Sequence, residues 1–79
     1  AVLILDAATG GTLAARRLPS MNHNAVFSAD GAEVWTSQME AQGTVLVLDA
    51  ATLTEKRSIA VGARPAEVTF TGDGKRAFV

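Results

Sequence analysis

Residues 1–9, AVLILDAAT, return almost unchanged as residues 44–52, TVLVLDAAT. No other feature constrains the fold of this chain as much. Residues 1–36 lie over 44–79 at an offset of 43 without a gap, and 10 of the 36 pairs are identical. The identities fall at turn and apolar positions: Asp6/Asp49, Thr9/Thr52, Phe27/Phe70, Asp30/Asp73 and Gly31/Gly74 among them. Chance would scatter them. The 79 residues therefore form one domain holding two rounds of one pattern, repeat 1 over 1–43 and an incomplete repeat 2 over 44–79.

Each round is built of short strands and turns. Val2–Leu5 and Val45–Asp49 are continuous apolar runs, as expected of strands covered on both faces. Asp6–Gly11 and Asp49–Thr54 are turns, because Asp6 and Asp49 can accept a hydrogen bond from the backbone two residues on. Thr12–Leu18 and Glu55–Val61 follow as outer strands. Arg16-Arg17 mark an exposed edge, and Lys56 and Arg57 fall in the first half of the second outer strand. Asn24–Ser28 and Glu67–Thr71 alternate, with Ala25 and Phe27, and then Val68 and Phe70, on one face. Ser28–Gly31 and Thr71–Gly74 are hairpin turns with glycine at the left-handed position, leading to strands Glu33–Ser37 and Arg76–Val79. Ala50–Arg57 has some helical propensity, but Thr52 and Thr54 oppose it. Four short strands in a period near 43 are the signature of an all-β propeller rather than of a helical repeat.

The second copy carries a more specific resemblance. Val61-Gly62, Pro65, Phe70, Asp73-Gly74-Lys75 and Phe78-Val79 resemble the YVTN-type β-propeller repeat. The first copy departs from it: Pro19-Ser20 replaces Val-Gly, and Asn22 stands where Pro65 stands. The resemblance implies blades of four antiparallel strands, about two blade-equivalents in all. Residues 2–18 would be the two outer strands of one blade, 24–61 a full blade, and 67–79 the two inner strands of a third. Propellers close with about 4–8 blades. The expected partners are therefore other copies of this chain, three giving six blades or four giving eight, or the rest of a longer propeller. Ala1 in place of an initiator Met, and an apolar strand pattern running to Val79, suggest a piece of a longer protein.

Composition narrows the function classes. The net charge is −1, with 7 basic and 8 acidic residues, so no basic field for nucleic acid is present. Cysteine is absent, which removes disulfides and thiolate metal sites. No apolar run approaches the ~18 residues of a membrane-spanning helix. The serines lack a Gly-x-Ser-x-Gly context, and Gly72-Asp-Gly-Lys75 lacks the spacing of a phosphate loop.

Strand alternation sorts the turns onto two rims. The aspartate turns share one rim, where the copies agree: Asp6, Thr9, Asp30, Gly31, Asp49, Thr52, Asp73 and Gly74 are read as structural. Residues 19–23, 38–43 and 62–66 share the other, where PSMNH stands against GARPA. Binding residues concentrate on variable loops over a common scaffold. The candidates for contacting a ligand or partner are Asn22, His23, Asn24, Met39, Glu40, Arg64 and Glu67. His23, the single histidine, is either a ligand or general base, or a loop residue bonded to backbone. Arg64 either binds an anion or pairs with Glu67. Met21 and Trp35 are read as packing residues.

These observations favour a non-catalytic binding scaffold, with no catalytic residue, metal or cofactor, that presents rim loops to a protein, surface polymer or small ligand. The resemblance implies a periplasmic or extracellular location. The alternative is a propeller of a redox enzyme, similar to haem-d1 or quinoprotein domains, holding a cofactor at the channel mouth near His23.

Overall fold

A computed structural model describes residues 1–79. It is all-β and antiparallel, with no helix and therefore no helix able to cross a membrane. Eight strands follow in order: β1 (Val2–Leu5), β2 (Thr12–Arg16), β3 (Asn22–Phe27), β4 (Glu33–Gln38), β5 (Gly43–Asp49), β6 (Glu55–Gly62), β7 (Thr69–Phe70) and β8 (Ala77–Phe78). They form a hairpin β1-β2, a four-stranded meander β3-β4-β5-β6 and a hairpin β7-β8. The division into two, four and two strands is the one the resemblance implied. The ends differ by a few residues. β3 starts at Asn22 rather than Asn24, β2 stops before Leu18, and β7 covers only two residues, leaving Glu67 and Val68 in the connector.

The meander is the core. Thr36, Leu46, Val34 and Leu48 alternate onto one of its faces, and Trp35, Ser37, Val45 and Val47 onto the other. On the first face Val34, Leu46 and Leu48 pack with Val2 of β1, with Leu18 in the connector after β2 and with Leu53. On the second, the Trp35 and Phe70 rings meet edge to face at 5.1 Å between centroids. Ser37 Oγ also donates to Ala66 O at 2.6 Å. β5 is covered on both sides, with Val45, Val47 and Leu48 having no exposed surface, as its unbroken apolar run led one to expect. Each such side chain contributes about 1.5–3 kcal/mol. β1, expected to be covered likewise, instead leaves Leu3 and Leu5 more than half exposed, because no sheet packs on that face. Only 14 of 79 residues are buried, so cohesion is concentrated in β4 and β5.

The 43-residue offset holds bond for bond. Asp6 Oδ1 accepts the N–H groups of Ala8 and Thr9 at 2.8 and 3.0 Å, and Asp49 Oδ1 those of Ala51 and Thr52 at 2.8 and 3.1 Å. Thr9 Oγ1 accepts from Gly11 N–H, and Thr52 Oγ1 from Thr54 N–H. In the hairpin turns, Ser28 Oγ donates to Asp30 Oδ1 at 2.7 Å and Thr71 Oγ1 to Asp73 Oδ1 at 2.6 Å. Gly31 and Gly74 both adopt the left-handed conformation, at φ +73° and +71°.

One turn position hides a difference. Gly10 and Leu53 occupy it in the two copies, both with positive φ. Gly10 is exposed, whereas Leu53 is 1% exposed and belongs to the core. Burial of Leu53 offsets a conformation that costs a non-glycine residue about 1–2 kcal/mol.

Candidate functional site

The variable rim is laced together by its own backbone. Met39 N–H donates to Met21 O at 2.9 Å, and Arg64 N–H to Glu40 O at 2.7 Å. All three connectors of this rim are thereby joined, and Met39, Glu40 and Arg64 are brought together. Arg64 is left-handed at φ +52°, and the next residue, Pro65, is buried. Pro65 lies against Gly43 so closely that a Cβ on Gly43 would collide with its ring and with Gly62 O. Gly43 is thus the residue that admits the Arg64 loop to this position.

Beneath the loops, three buried polar residues of β4 are satisfied. Thr36 Oγ1 donates to Asn24 O at 2.6 Å and accepts from Asn22 Nδ2 at 3.3 Å. Ser37 reaches Ala66 O, and Gln38 Oε1 accepts from Thr44 Oγ1 at 2.8 Å. Asn22 is therefore held from below, and its Oδ1 also accepts from the Ala1 amino group at 3.1 Å. Asn24 Oδ1 is buried without a partner.

Between Asn22 and Ala25 the register with β4 shifts by one residue, a β-bulge that contains His23 and Asn24. His23 accordingly sits on a strand, exposed, and its ring makes no hydrogen bond. This corrects the expectation of a backbone-bonded loop histidine. Two other expectations also change. No ion pair joins Arg64 to Glu67; the three ion pairs present are Arg16–Glu55, Lys56–Glu33 and Arg57–Glu33. Met21 is 73% exposed rather than packed, because it lies in the connector between two sheets.

The opposite rim holds the larger cleft, about 370 Å³, between the meander and the last hairpin. Its wall is an ion-pair cluster that the sequence reading did not find. Glu33 accepts from Lys56 Nζ at 2.7 Å, Arg57 Nη1 at 3.1 Å and Trp35 Nε1 at 3.1 Å. The Arg57 guanidinium also lies 5.6 Å from the Trp35 ring centroid. Donation by Lys56, then Arg57, then Trp35 holds the Glu33 carboxyl at a pKa of about 2. Glu33 is thus a fixed anion rather than a proton acceptor. Its partners lie 23 and 24 residues away, beyond any local motif: Arg57, opposite Val47, shares the Glu33 face, while its neighbour Lys56 reaches Glu33 from the β-bulge that shifts the register between Val47 and Leu48.

The other acids of this rim are equally engaged. The Ser28 hydroxyl and Ala32 N–H hold Asp30 below its ordinary value, and the Thr71 hydroxyl and Lys75 N–H do the same for Asp73. Backbone N–H groups lower Asp6, from Thr9 and Ala8, and Asp49, from Ala51 and Thr52. These carboxylates close turns.

None of the seven rim candidates lines either cleft, and no three His, Asp or Glu side chains converge as metal ligands. The rim offers exposed polar groups on a backbone braced by the Met39–Met21 and Arg64–Glu40 bonds. Compared with family models, with curated proteins and with solved structures, the chain finds no match.

Proposed function

We propose that the chain is about two units of a β-propeller of the YVTN-like kind and serves as a non-catalytic binding scaffold. On this reading each four-stranded meander is a blade. The aspartate turns are its common framework, and the opposite rim carries recognition, outside the cytoplasm. The lacing of Met39, Glu40 and Arg64 by the Met21 and Glu40 carbonyls carries the reading. It makes three otherwise unrelated connectors into one surface, at the rim where the copies differ in sequence.

The second reading, a redox propeller holding a cofactor at the channel mouth near His23, concerns a channel that further units would complete.

The test is a titration of isotope-labelled chain, followed by amide chemical shifts, with soluble peptidoglycan fragments, an acidic polysaccharide and a peptide library. Shifts centred on residues 38–43 and 64 are expected. Glu40→Ala and Arg64→Asn should then remove binding and leave the strand signals in place. Asparagine is chosen because it tolerates positive φ. Shifts centred on Asp49 and Asp73 would move recognition to the other rim.

A further inference from the structure

The two terminal hairpins each present an unpaired strand edge. β1 bonds only to β2, and β8 only to β7. Side chains beside these edges are unusually bare: Phe78 is 61% and Phe27 57% exposed, with Leu3 and Leu5 similar. An open apolar strand edge is a template for another strand.

The internal repeat says which strand fits. β4 pairs with β5 as Glu33↔Asp49, Val34↔Leu48, Trp35↔Val47 and Thr36↔Leu46. Moving the first residue of each pair on by 43 and the second back by 43 gives Arg76↔Asp6, Ala77↔Leu5, Phe78↔Ile4 and Val79↔Leu3. We propose that β8 of one copy adds to β1 of another in this register, joining copies head to tail into mixed four-stranded sheets. The occupant of each edge is a second copy of this chain. The inference needs only the repeat geometry and is independent of any ligand at the rim.

Three further observations fall into place. First, the Trp35–Phe70 edge contact at 5.1 Å translates into a contact between Phe78 of one copy and Phe27 of the next. Second, a groove of about 140 Å³, lined only by apolar residues, includes both Ile4 and Phe27. The register independently delivers Phe78 opposite Ile4, beside this groove. Third, a methyl at Gly74 would meet Ala29 Cβ at 2.6 Å, whereas one at Gly31 would meet nothing. The space beside Gly31 is where the incoming Gly72 lies. The bond from Ala50 N–H to Ala32 O likewise becomes one from Ala7 N–H to Lys75 O of the other copy.

One internal feature is not reproduced. The counterparts of Lys56, Arg57 and Glu33 across the junction are Leu13, Ala14 and Arg76, so no ion pair closes that rim. The junction rests on backbone bonds and apolar contact, and its strength is insensitive to salt. A head-to-tail interface yields a ring when its rotation closes and an open fibre when it does not.

The first test is sedimentation of the 79-residue chain at micromolar concentration, at low and high salt. Assemblies are expected at both, of two to four chains where the rotation closes a ring and longer where it does not. A folded monomer whose two edges stay free overturns the proposal. The second test uses the absence of cysteine. Ala77→Cys with Leu5→Cys places two thiols on directly opposed positions, a spacing a disulfide spans, and leaves both phenylalanines in place. Oxidation should link chains to one another. Ala77→Cys with Ile4→Cys, one residue out of register and facing the other side, should not. Equal linkage by both pairs, or by neither, overturns the register. Phe27→Asp, on one side of the junction only, should weaken association by at least about tenfold. An unchanged association constant removes the Phe78–Phe27 contact from the proposal.

Discussion

Phe27 and Phe70 occupy the same place in the two copies, before turns that make the same hydrogen bonds. Phe70 is half-buried against Trp35, whereas Phe27 faces solvent. Their own hairpins do not explain the difference. Phe70 has a preceding sheet to rest on, and Phe27 has only the two-stranded β1-β2 before it, which leaves that place open. Local chemistry sets the backbone of each unit, and the neighbouring sheet decides what is buried.

Exchanging matched residues tests this division, and the largest effect is expected at Leu53. Leu53→Ala should cost about 3 kcal/mol in urea denaturation, since it empties a core position. Its counterpart change, Gly10→Ala, should cost only about 1 kcal/mol, for a side chain at positive φ in open space. Comparable costs would mean that the first hairpin is packed more closely than its exposure indicates. Next in size, Phe70→Ala should cost about 2–3 kcal/mol and Phe27→Ala under about 1 kcal/mol in dilute solution. Raising the protein concentration should bring the two together, because a second copy then supplies the cover Phe27 lacks. A Phe27→Ala cost that is large at every concentration breaks the comparison.

The third pair is Glu33 and Arg76. Glu33 has its folded pKa lowered to about 2 from 4.5. Its stabilising contribution is therefore complete above about pH 4.5 and is lost as pH falls through about 2. Glu33→Gln should flatten the dependence of the urea midpoint on pH across that window. The residual slope belongs to Asp6, Asp30, Asp49 and Asp73, whose lowered pKa values act in the same direction. Arg76→Gln should leave the slope unchanged. The smallest difference is expected between Asp30→Ala and Asp73→Ala. Both turns carry the same bonds, so the two variants should lower the urea midpoint equally. Unequal losses would show that the turns, too, depend on their neighbours.

Much of the fold was legible in the chain because it rests on short-range chemistry repeated twice. The run Val45–Leu48 announced a strand covered on both faces. Asp6, Asp49, Asp30 and Asp73 announced their turns through spacing alone. What stayed hidden depends on distant groups. Leu53 aligned with a glycine and sat in a turn, so nothing local marked it as core. The approach of Pro65 to Gly43 joins two different connectors, and the bulge at His23 and Asn24 depends on how β3 meets β4. The candidate rim was chosen from where the copies differ in sequence, while the joining of Met39, Glu40 and Arg64 needed the folded backbone. The Glu33 cluster was missed altogether, since its acid and bases lie on strands that never pair directly.

The meander and the sequence repeat are out of phase. The repeat boundary at 43/44 falls inside β5, and β1-β2 belongs to a different sheet from β3-β4 although both lie in repeat 1. This has a genetic consequence. Tandem copying of any 43-residue window, wherever the breakpoint lands, inserts one whole four-stranded unit and leaves the terminal hairpins as they were. Such a gene can lengthen or shorten by recombination without a precise junction, and its products differ in the number of sheets rather than in their kind.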